Sequence, residues 1–145
     1  MKRILGKLSR KIVEKYGLYE HKNKKIVIYD NDRKHCEKKH SSEFKSKKAF
    51  HYTMDNLEYI INNPDYIFYT KGYDKVKNKK IERYTLEYYK KIDENITVRV
   101  RVDNEKELKV KTVFPVKEEK IRYKVHKEKY NKYVISSEEY ENRNN

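Results

Sequence analysis

The strongest constraint on the fold is a stretch of strict alternation at residues 96–102. Four β-branched apolar residues alternate there with one threonine and two arginines, in the order Ile96, Thr97, Val98, Arg99, Val100, Arg101 and Val102. Successive side chains of a β-strand point to opposite faces of its sheet. The stretch therefore predicts a strand with one apolar face and one cationic face, so other elements must cover the apolar side.

Several flanking segments also alternate or are rich in β-branched and aromatic residues, as strands are. They are KIVIYD (25–30), DYIFYT (65–70), IERYTLEYYKKI (81–92), LKVKTVFPV (108–116) and IRYKV (121–125). Between them, KGYDKVKNKK (71–80) predicts a basic polar loop and DNEKE (103–107) a turn. The segments after Pro64 predict an antiparallel meander, and the cationic face of the sheet gains Lys91, Lys109 and Lys111.

Helical spacing dominates the first half of the chain. Apolar residues at helical intervals predict a helix over residues 2–16, with Gly17 as its stop. The DND at 30–32 offers N-cap side chains for a helix through RKHCEKKHSSEF (33–44). A further helix is predicted from Thr53 to Asn62, before Pro64, with an apolar face formed by Met54, Leu57, Ile60 and Ile61.

These patterns predict one α+β domain over residues 1–145, with N-terminal helices packed on a twisted antiparallel sheet of about four to five strands. Within it, residues 1–24 form a basic N-terminal helix and residues 25–116 the core. Residues 117–145 form a C-terminal extension, which we expect to be loose after Tyr133 because it is polar.

The formal net charge of +14 favours a polyanionic partner. The basic helix at residues 2–16 either packs its apolar stripe on the domain or lies on a membrane or partner. No apolar run is long enough to span a bilayer, and we expect no membrane partner. With Cys36 as the single cysteine, no internal disulfide forms, and we expect the protein to act in the reducing cytoplasm.

The segment RKHCEKKH (33–40) concentrates the only cysteine and two of the five histidines. Cys36 and His40 share a helical face, but a structural zinc site needs about four ligands. Cationic neighbours favour a reactive thiolate at Cys36, yet in a helix it points away from His35, which favours a buried, inert cysteine. We expect neither a metal nor another cofactor.

The chemistry that these residue types fit is metal-free cleavage of RNA. The chain has only three glycines and no glycine-rich phosphate loop. RNA carries its own nucleophile, the 2′-OH, so cleavage needs proton transfer, which histidine suits, and cations that neutralise the phosphate. Arg99 and Arg101 are two such cations side by side, although an outer face of a sheet is also often merely solvated.

The order of the segments resembles a known family. KIVIYDNDRKHCEKKHSSEF, then NLEYIINNPDYIFYT, then TLEYYKKIDENITVRVRVDNEKELKVKTVFPV are similar to the phage-associated nucleases of the barnase–EndoU–colicin–RelE superfamily. The resemblance covers about residues 25–116. It implies a metal-independent endoribonuclease, often a toxin or mobile-element effector.

The resemblance also implies site residues. The helix histidines of the family fall on His35 and His40, its basic sheet residue on Arg99 or Arg101, and its late-strand hydroxyl on Thr112. The lysines expected to bind substrate are Lys39, Lys91, Lys109 and Lys111.

Two geometric conditions follow from these assignments. His35 and His40 are separated by about 140° on an unbroken helix, so both face one phosphate only if the helix ends or tightens near His40. Thr112 shares the parity of Leu108 and Val110, so it reaches the arginine face only through a β-bulge near Lys111.

We therefore predict an RNA-cleaving toxin or effector that leaves a 2′,3′-cyclic phosphate. Its expected partners are single-stranded RNA or tRNA and an acidic immunity or antitoxin protein. Two alternatives are a nucleic-acid-binding protein without catalysis and a protein that captures an acidic partner through its N-terminal helix.

Overall fold

The computed structural model describes residues 1–74, 79–130 and 133–144. In chain order the elements are β1 (Lys2–Lys7), α1 (Arg10–Tyr16), β2 (Lys25–Tyr29), α2 (Asp30–His40), α3 (Lys47–Asp55), α4 (Leu57–Asn62), β3 (Tyr66–Asp74), β4 (Lys79–Asp93), β5 (Ile96–Asn104), β6 (Leu108–Pro115), α5 (Glu118–Tyr130), β7 (Val134–Ser136) and α6 (Ser137–Asn144). Short 3₁₀ turns lie at Tyr19–His21 and Ser41–Glu43.

Within the described residues, the strands form one seven-stranded sheet in the order β1-β2-β6-β5-β4-β3-β7. All neighbours are antiparallel except β2 and β6, which are parallel. The α+β class is confirmed, with more strands than the four to five predicted. The additional strands, β1 and β7, come from the two ends of the chain and extend the central meander at its edges.

The alternation of β5 is confirmed. Val98, Val100 and Val102 are fully buried, and their face of the sheet packs against side chains of α1, α3 and α4 in one large core. All four residues predicted for the apolar face of the third helix are buried in this core. The opposite face carries Arg99 and Arg101, and part of it is covered by α5 through Ile121, which packs with Phe68 and Tyr89.

The predicted helix over residues 2–16 is wrong in its first half. Lys2–Lys7 is a strand that pairs with β2, and the register shifts between Ile4 and Gly6, so Leu5 is the extra residue. A Cβ at Gly6 would lie 2.9 Å from the side chain of Asn62, so any other residue there would require this side chain of α4 to shift. The helix starts after Ser9, whose hydroxyl accepts from the Ile12 amide, and ends as predicted at Gly17 with φ 68°.

Three helix boundaries also differ from prediction. α2 begins directly at Asp30, and the side chain of its N-cap residue Tyr29 makes no capping hydrogen bond. The DND therefore lies in the first turn, where its carboxylates interact favourably with the positive end of the helix dipole. α2 ends at His40, and Ser41–Glu43 continue as a 3₁₀ turn. The helix predicted from Thr53 is two helices, because Asn56 leaves helical geometry and its side chain donates to the Tyr52 carbonyl at 2.7 Å.

The predictions for the C-terminal segments are wrong. IRYKV lies in α5, where Ile121 and Val125, four residues apart, share one helical face on the sheet. The segment after Tyr133 is ordered as β7 and α6, and Ile135 is fully buried opposite Ile67. The predicted loop at 71–80 is shorter than expected, since strands extend to residue 74 and from residue 79, and its remainder lies outside the described residues.

Within these ranges, no helix combines the length and the apolar character needed to cross a membrane.

Candidate active site

The candidate site lies where α2 packs against the outer edge of β6. β2 and β6 pair only at Ile26–Leu108 and Val27–Lys109, and α2 follows β2 without a loop. Cys36 fixes the helix, because its fully buried thiol lies 3.7 Å from the Lys111 carbonyl and donates to it. The predicted burial of Cys36 is confirmed, and this burial raises the pKa of its thiol to about 11.

A β-bulge in β6 turns Thr112 toward the arginine face. Arg101 pairs with Thr112 while the next residue, Val102, pairs with Val110, so Lys111 has no direct partner on β5. The extra residue reverses the alternation of β6, and both Val110 and Val113 are fully buried in the core. Thr112 therefore lies directly beside Arg101, as the second geometric condition requires.

His35, Arg101 and Thr112 line one open cavity of about 480 Å³, which we call the Arg101 cavity. Its other lining residues are Asn31, Asp32, Asp103 and Lys111. Asn31, Asp32 and His35 lie on adjoining positions of one face of α2. The helix and the two strands thus bring three predicted catalytic residues and one predicted substrate-binding lysine together.

Asp103 orients Arg101 within this cavity. The Arg101 Nε donates to Asp103 Oδ1 at 2.9 Å, and the same oxygen accepts from the Thr85 hydroxyl at 2.9 Å. Because the bond uses Nε, the terminal nitrogens of the guanidinium remain for a ligand; within the described part of the chain no acceptor bonds to them. The side chain of Arg101 is 44% exposed, so an anion can reach it.

Arg99 is bound very differently. It forms an ion pair with Glu87, which is 5% exposed and also pairs with Lys124 of α5 at 3.0 Å. We call Glu87, Arg99 and Lys124 the Glu87 cluster. The Arg99 guanidinium lies over the Phe114 ring, 4.8 Å from its centre. Both arginines are therefore paired with a carboxylate, but Arg99 is packed and largely covered, whereas Arg101 is exposed.

His40 lies at the Arg99 end of the same face. As the last residue of α2 it reaches over the sheet, and its ring lies 5.6 Å from that of Phe114. Its Nδ1 is 3.0 Å from a carboxylate oxygen of Glu43 in the 3₁₀ turn. The helix does tighten after His40, and both histidines lie over the arginine face. His40 is nevertheless not among the residues that line the Arg101 cavity.

The predicted substrate-binding lysines divide into three groups. Lys109 and Lys111 each lie 3.3 Å from Glu105, and Lys111 is also 4.0 Å from Asp32 at the rim of the cavity. Although burial raises it, hydrogen bonds from Lys111 and Lys109 hold the pKa of Glu105 below its ordinary value. Lys91 lies elsewhere, paired with Glu118 at 2.8 Å, and joins β4 to α5. Lys39 is exposed one turn after His35.

Sequence reasoning missed the carboxylates of the site. Asp103 and Glu87 lie on the arginine face, and Asp32 precedes His35 by three residues. One signal for Asp103 and Glu87 was available: each is an acidic residue at an outward position of a strand in an otherwise basic, apolar stretch. Their partners depend on the register of β4 against β5, which sets Glu87 opposite Arg101 and Thr85 opposite Asp103.

The arrangement suits charge neutralisation and proton transfer at a bound anion. Arg101 and Lys111 supply cations, Thr112 a hydroxyl donor and His35 an imidazole that can accept or donate a proton. In the parts of the chain that the structure describes, no three His, Cys, Asp or Glu side chains are grouped so as to hold a metal ion.

Comparison with known proteins identifies the family of the chain. The model of the family described as phage-Barnase-EndoU-ColicinE5/D-RelE like nuclease 3 matches residues 2–123, so it includes β1 and α1 as well as the central meander. No curated protein and no solved structure matches the chain. Since the match spans most of the 145 residues, the chain belongs to the phage-Barnase-EndoU-ColicinE5/D-RelE like nuclease 3 family.

Proposed function

We propose that this nuclease is a metal-independent endoribonuclease, an RNA-cleaving toxin or mobile-element effector that acts in the cytoplasm. The observation that carries the proposal is that His35, Arg101 and Thr112 line one cavity. Its expected partners are single-stranded RNA or tRNA and an acidic immunity or antitoxin protein.

In the proposed reaction the 2′-oxygen of one nucleotide attacks the adjacent phosphorus. The bond from phosphorus to the 5′-oxygen of the next nucleotide breaks, which leaves a 2′,3′-cyclic phosphate and a free 5′-OH. Two protons move: one leaves the 2′-OH and one arrives at the departing 5′-oxygen. His35 makes one of these transfers, and His40 either makes the other or binds the phosphate.

The cations of the cavity stabilise the charge that grows on the phosphate oxygens. Arg101, oriented through Nε by Asp103, presents its terminal nitrogens in the plane in which guanidinium binds phosphate. The Thr112 hydroxyl, next to Arg101 across the strand pair, donates to a phosphate oxygen, and Lys111 adds a second positive charge. Arg99 is paired with Glu87, and its guanidinium packs on the ring of Phe114, which lies 5.6 Å from the ring of His40.

The direct test is cleavage of a mixed single-stranded RNA and of tRNA by the purified protein in EDTA, with analysis of the product ends. We expect endonucleolytic cleavage with 2′,3′-cyclic phosphate and 5′-OH ends. Activity that appears only after addition of a divalent metal, or products that carry 5′-phosphate ends, would contradict the mechanism.

A nucleic-acid-binding protein without catalysis is the second candidate, and one observation favours it. Among the described residues, none forms a hydrogen bond with the exposed ring of His35, whereas catalytic histidines are commonly oriented by such a partner. This candidate predicts RNA binding with steep salt dependence and no product.

The third reading, capture of an acidic partner by the N-terminal helix, draws no support from the apolar stripe of α1. Ile12 and Val13 of α1 are buried in the core, and Lys11 and Lys15 lie within 4.0 Å of Glu139 of α6. The apolar stripe of α1 therefore packs on the domain.

A further inference from the structure

Exposed cations are concentrated in α2, the 3₁₀ turn and the start of α3. We call this set the α2–α3 row; it consists of Arg33, Lys34, Lys38, Lys39, Lys45, Lys47 and Lys48. All seven side chains are exposed, and within the described residues none forms an ion pair. The two carboxylates between Arg33 and Lys48 lie near histidines instead: Glu37 is 3.9 Å from His51, and Glu43 is 3.0 Å from His40.

The cations on the sheet face differ in this respect. Arg99, Arg101, Lys109 and Lys111 are each within 4.0 Å of a carboxylate. A paired cation attracts a polyanion less than an unpaired one, because its carboxylate partner repels the same ligand. The unpaired charge near the candidate site is therefore concentrated on the α2–α3 row.

Two features of the α2–α3 row place like charges in unfavourable positions when no anion is bound. Lys47 and Lys48 lie in the first turn of α3, which holds no acidic residue, although the helix dipole favours anions there. Lys34 and Lys38 are four residues apart on α2, a spacing at which like charges repel. A bound polyanion relieves both of these repulsions.

One residue of the row, Lys45, lines a second and larger groove. This groove, about 1050 Å³, lies between the start of α3, the Phe114 end of the sheet and α5; Glu43, Phe44, Lys45, Arg99, Phe114 and Lys120 are among its lining residues. α2 lines the Arg101 cavity, and the chain that follows α2 lines the groove. In the chain, His40 lies between these two sets of lining residues, and its ring is 5.6 Å from that of Phe114.

We propose that the α2–α3 row binds the sugar-phosphate backbone of single-stranded RNA, and that the nucleotides on one side of the cleaved phosphate extend along it into the groove. This inference rests on the proposed ribonuclease function and adds an extended substrate-binding surface to it. Flexible single strands suit this surface, because they can follow a bend from cavity to groove that a duplex cannot.

The test measures binding of fluorescent 2′-O-methyl oligoribonucleotides of three and nine nucleotides, which lack the nucleophile and are not cleaved. The variant replaces three residues of the row, Lys45→Ala, Lys47→Ala and Lys48→Ala. The control replaces Lys7, Lys22 and Lys127 by alanine, which removes the same net charge. These three lysines are exposed and line neither the cavity nor the groove.

We expect the wild-type protein to bind the nonamer more tightly than the trimer, and the row variant to lose most of this gain. Each released phosphate contact reduces the slope of log K against log salt by about 0.7 for single strands, so the triple variant lowers it by about 2. Equal losses in the row and control variants, or no loss in the row variant, would overturn the inference. RNA cleavage by the same wild-type preparation is scored separately, so failure of the proposed function remains distinguishable.

Discussion

Arg99 and Arg101 lie two residues apart on the same face of one strand, yet their surroundings make them different residues. Arg99 is paired with the buried Glu87, covered by α5 and stacked on Phe114. Arg101 is held through Nε by Asp103 and opens into a cavity with His35 and Thr112. The cationic face of this strand is therefore divided into a packed part, the Glu87 cluster, and an open part, the Arg101 cavity.

The largest effect on activity is expected at the histidine of the Arg101 cavity. Replacement His35→Ala should lower kcat/KM for RNA in EDTA by about 10²–10⁴-fold, because it removes a proton-transfer group. Because the side chain of His35 is exposed, this replacement should change the free energy of unfolding by no more than about 0.5 kcal/mol. His51→Ala, at an exposed histidine of α3, is the matched control. Equal rates for His35→Ala and wild type would remove the cavity from the mechanism.

The largest effect on stability is expected in the Glu87 cluster. Glu87→Ala leaves Arg99 and Lys124 without their shared carboxylate, and breaking a buried pair in this way costs about 3 kcal/mol. Thermal unfolding should show a decrease of roughly 10 °C in Tm for a domain of this size. Glu118→Ala, which breaks the exposed pair with Lys91, is the control and should change Tm by only about 1–3 °C. Similar losses in both variants would mean that the cluster has no special role.

Replacement of each arginine in turn should affect activity in one case and stability in the other. Arg101→Ala should lower kcat/KM by about 10²–10³-fold with little change in Tm, because the residue is proposed to stabilise the charge of the transition state. Arg99→Ala should instead destabilise the fold by about 2 kcal/mol, since Glu87 loses one partner. Activities are compared well below both unfolding transitions. If Arg99→Ala, once folded, is as inactive as Arg101→Ala, the division of the face is wrong.

A smaller effect tests the role of the β-bulge. Thr112→Val keeps the β-branched shape but removes the hydroxyl, so kcat/KM should decrease about tenfold while Tm changes little. Thr97→Val, on the same face of β5 but outside the Arg101 cavity, serves as the control. An unchanged rate would show that the bulge exposes Thr112 without use in the reaction.

The smallest expected effect is on the pH dependence of stability, to which His21 should contribute and His35 should not. Burial, with Lys24 nearby, lowers the pKa of His21, which bonds to the Tyr84 hydroxyl on the core side of the sheet. Its stabilising effect is therefore complete above the unfolded pKa of about 6.5 and decreases as the pH falls below it. We expect Tm to decrease from pH 7.5 to 5.5 and the decrease to be weaker in His21→Gln, whereas His35→Ala should retain it. A His21→Gln profile identical to wild type would contradict this assignment.

The central meander could be predicted from the sequence because each strand shows its own alternation. Val98, Val100 and Val102 identify their buried face without any knowledge of neighbours. β1 could not be predicted in this way, since Ile4, Leu5 and Leu8 also fit a helix and only pairing with β2 makes Lys2–Lys7 a strand. The short β7 likewise forms only because β3 presents an open edge.

The candidate site was only partly predictable for the same reason. His35, Arg101 and Thr112 were selected as residue types with suitable chemistry, and their placement in one cavity depends on the bulge at Lys111. The different settings of Arg99 and Arg101 depend on strand register and on α5, which was predicted as a strand. No local pattern in TVRVRV distinguishes the two arginines.

The most direct test of the account uses one RNA with a mapped cleavage position and a matched RNA that carries a single 2′-deoxy nucleotide at that position. In EDTA, the wild-type protein should cleave the first RNA and leave the substituted position intact, because the attacking oxygen is missing. Cleavage at the 2′-deoxy position, or cleavage that depends on added metal, would contradict a mechanism in which the 2′-OH attacks within the Arg101 cavity.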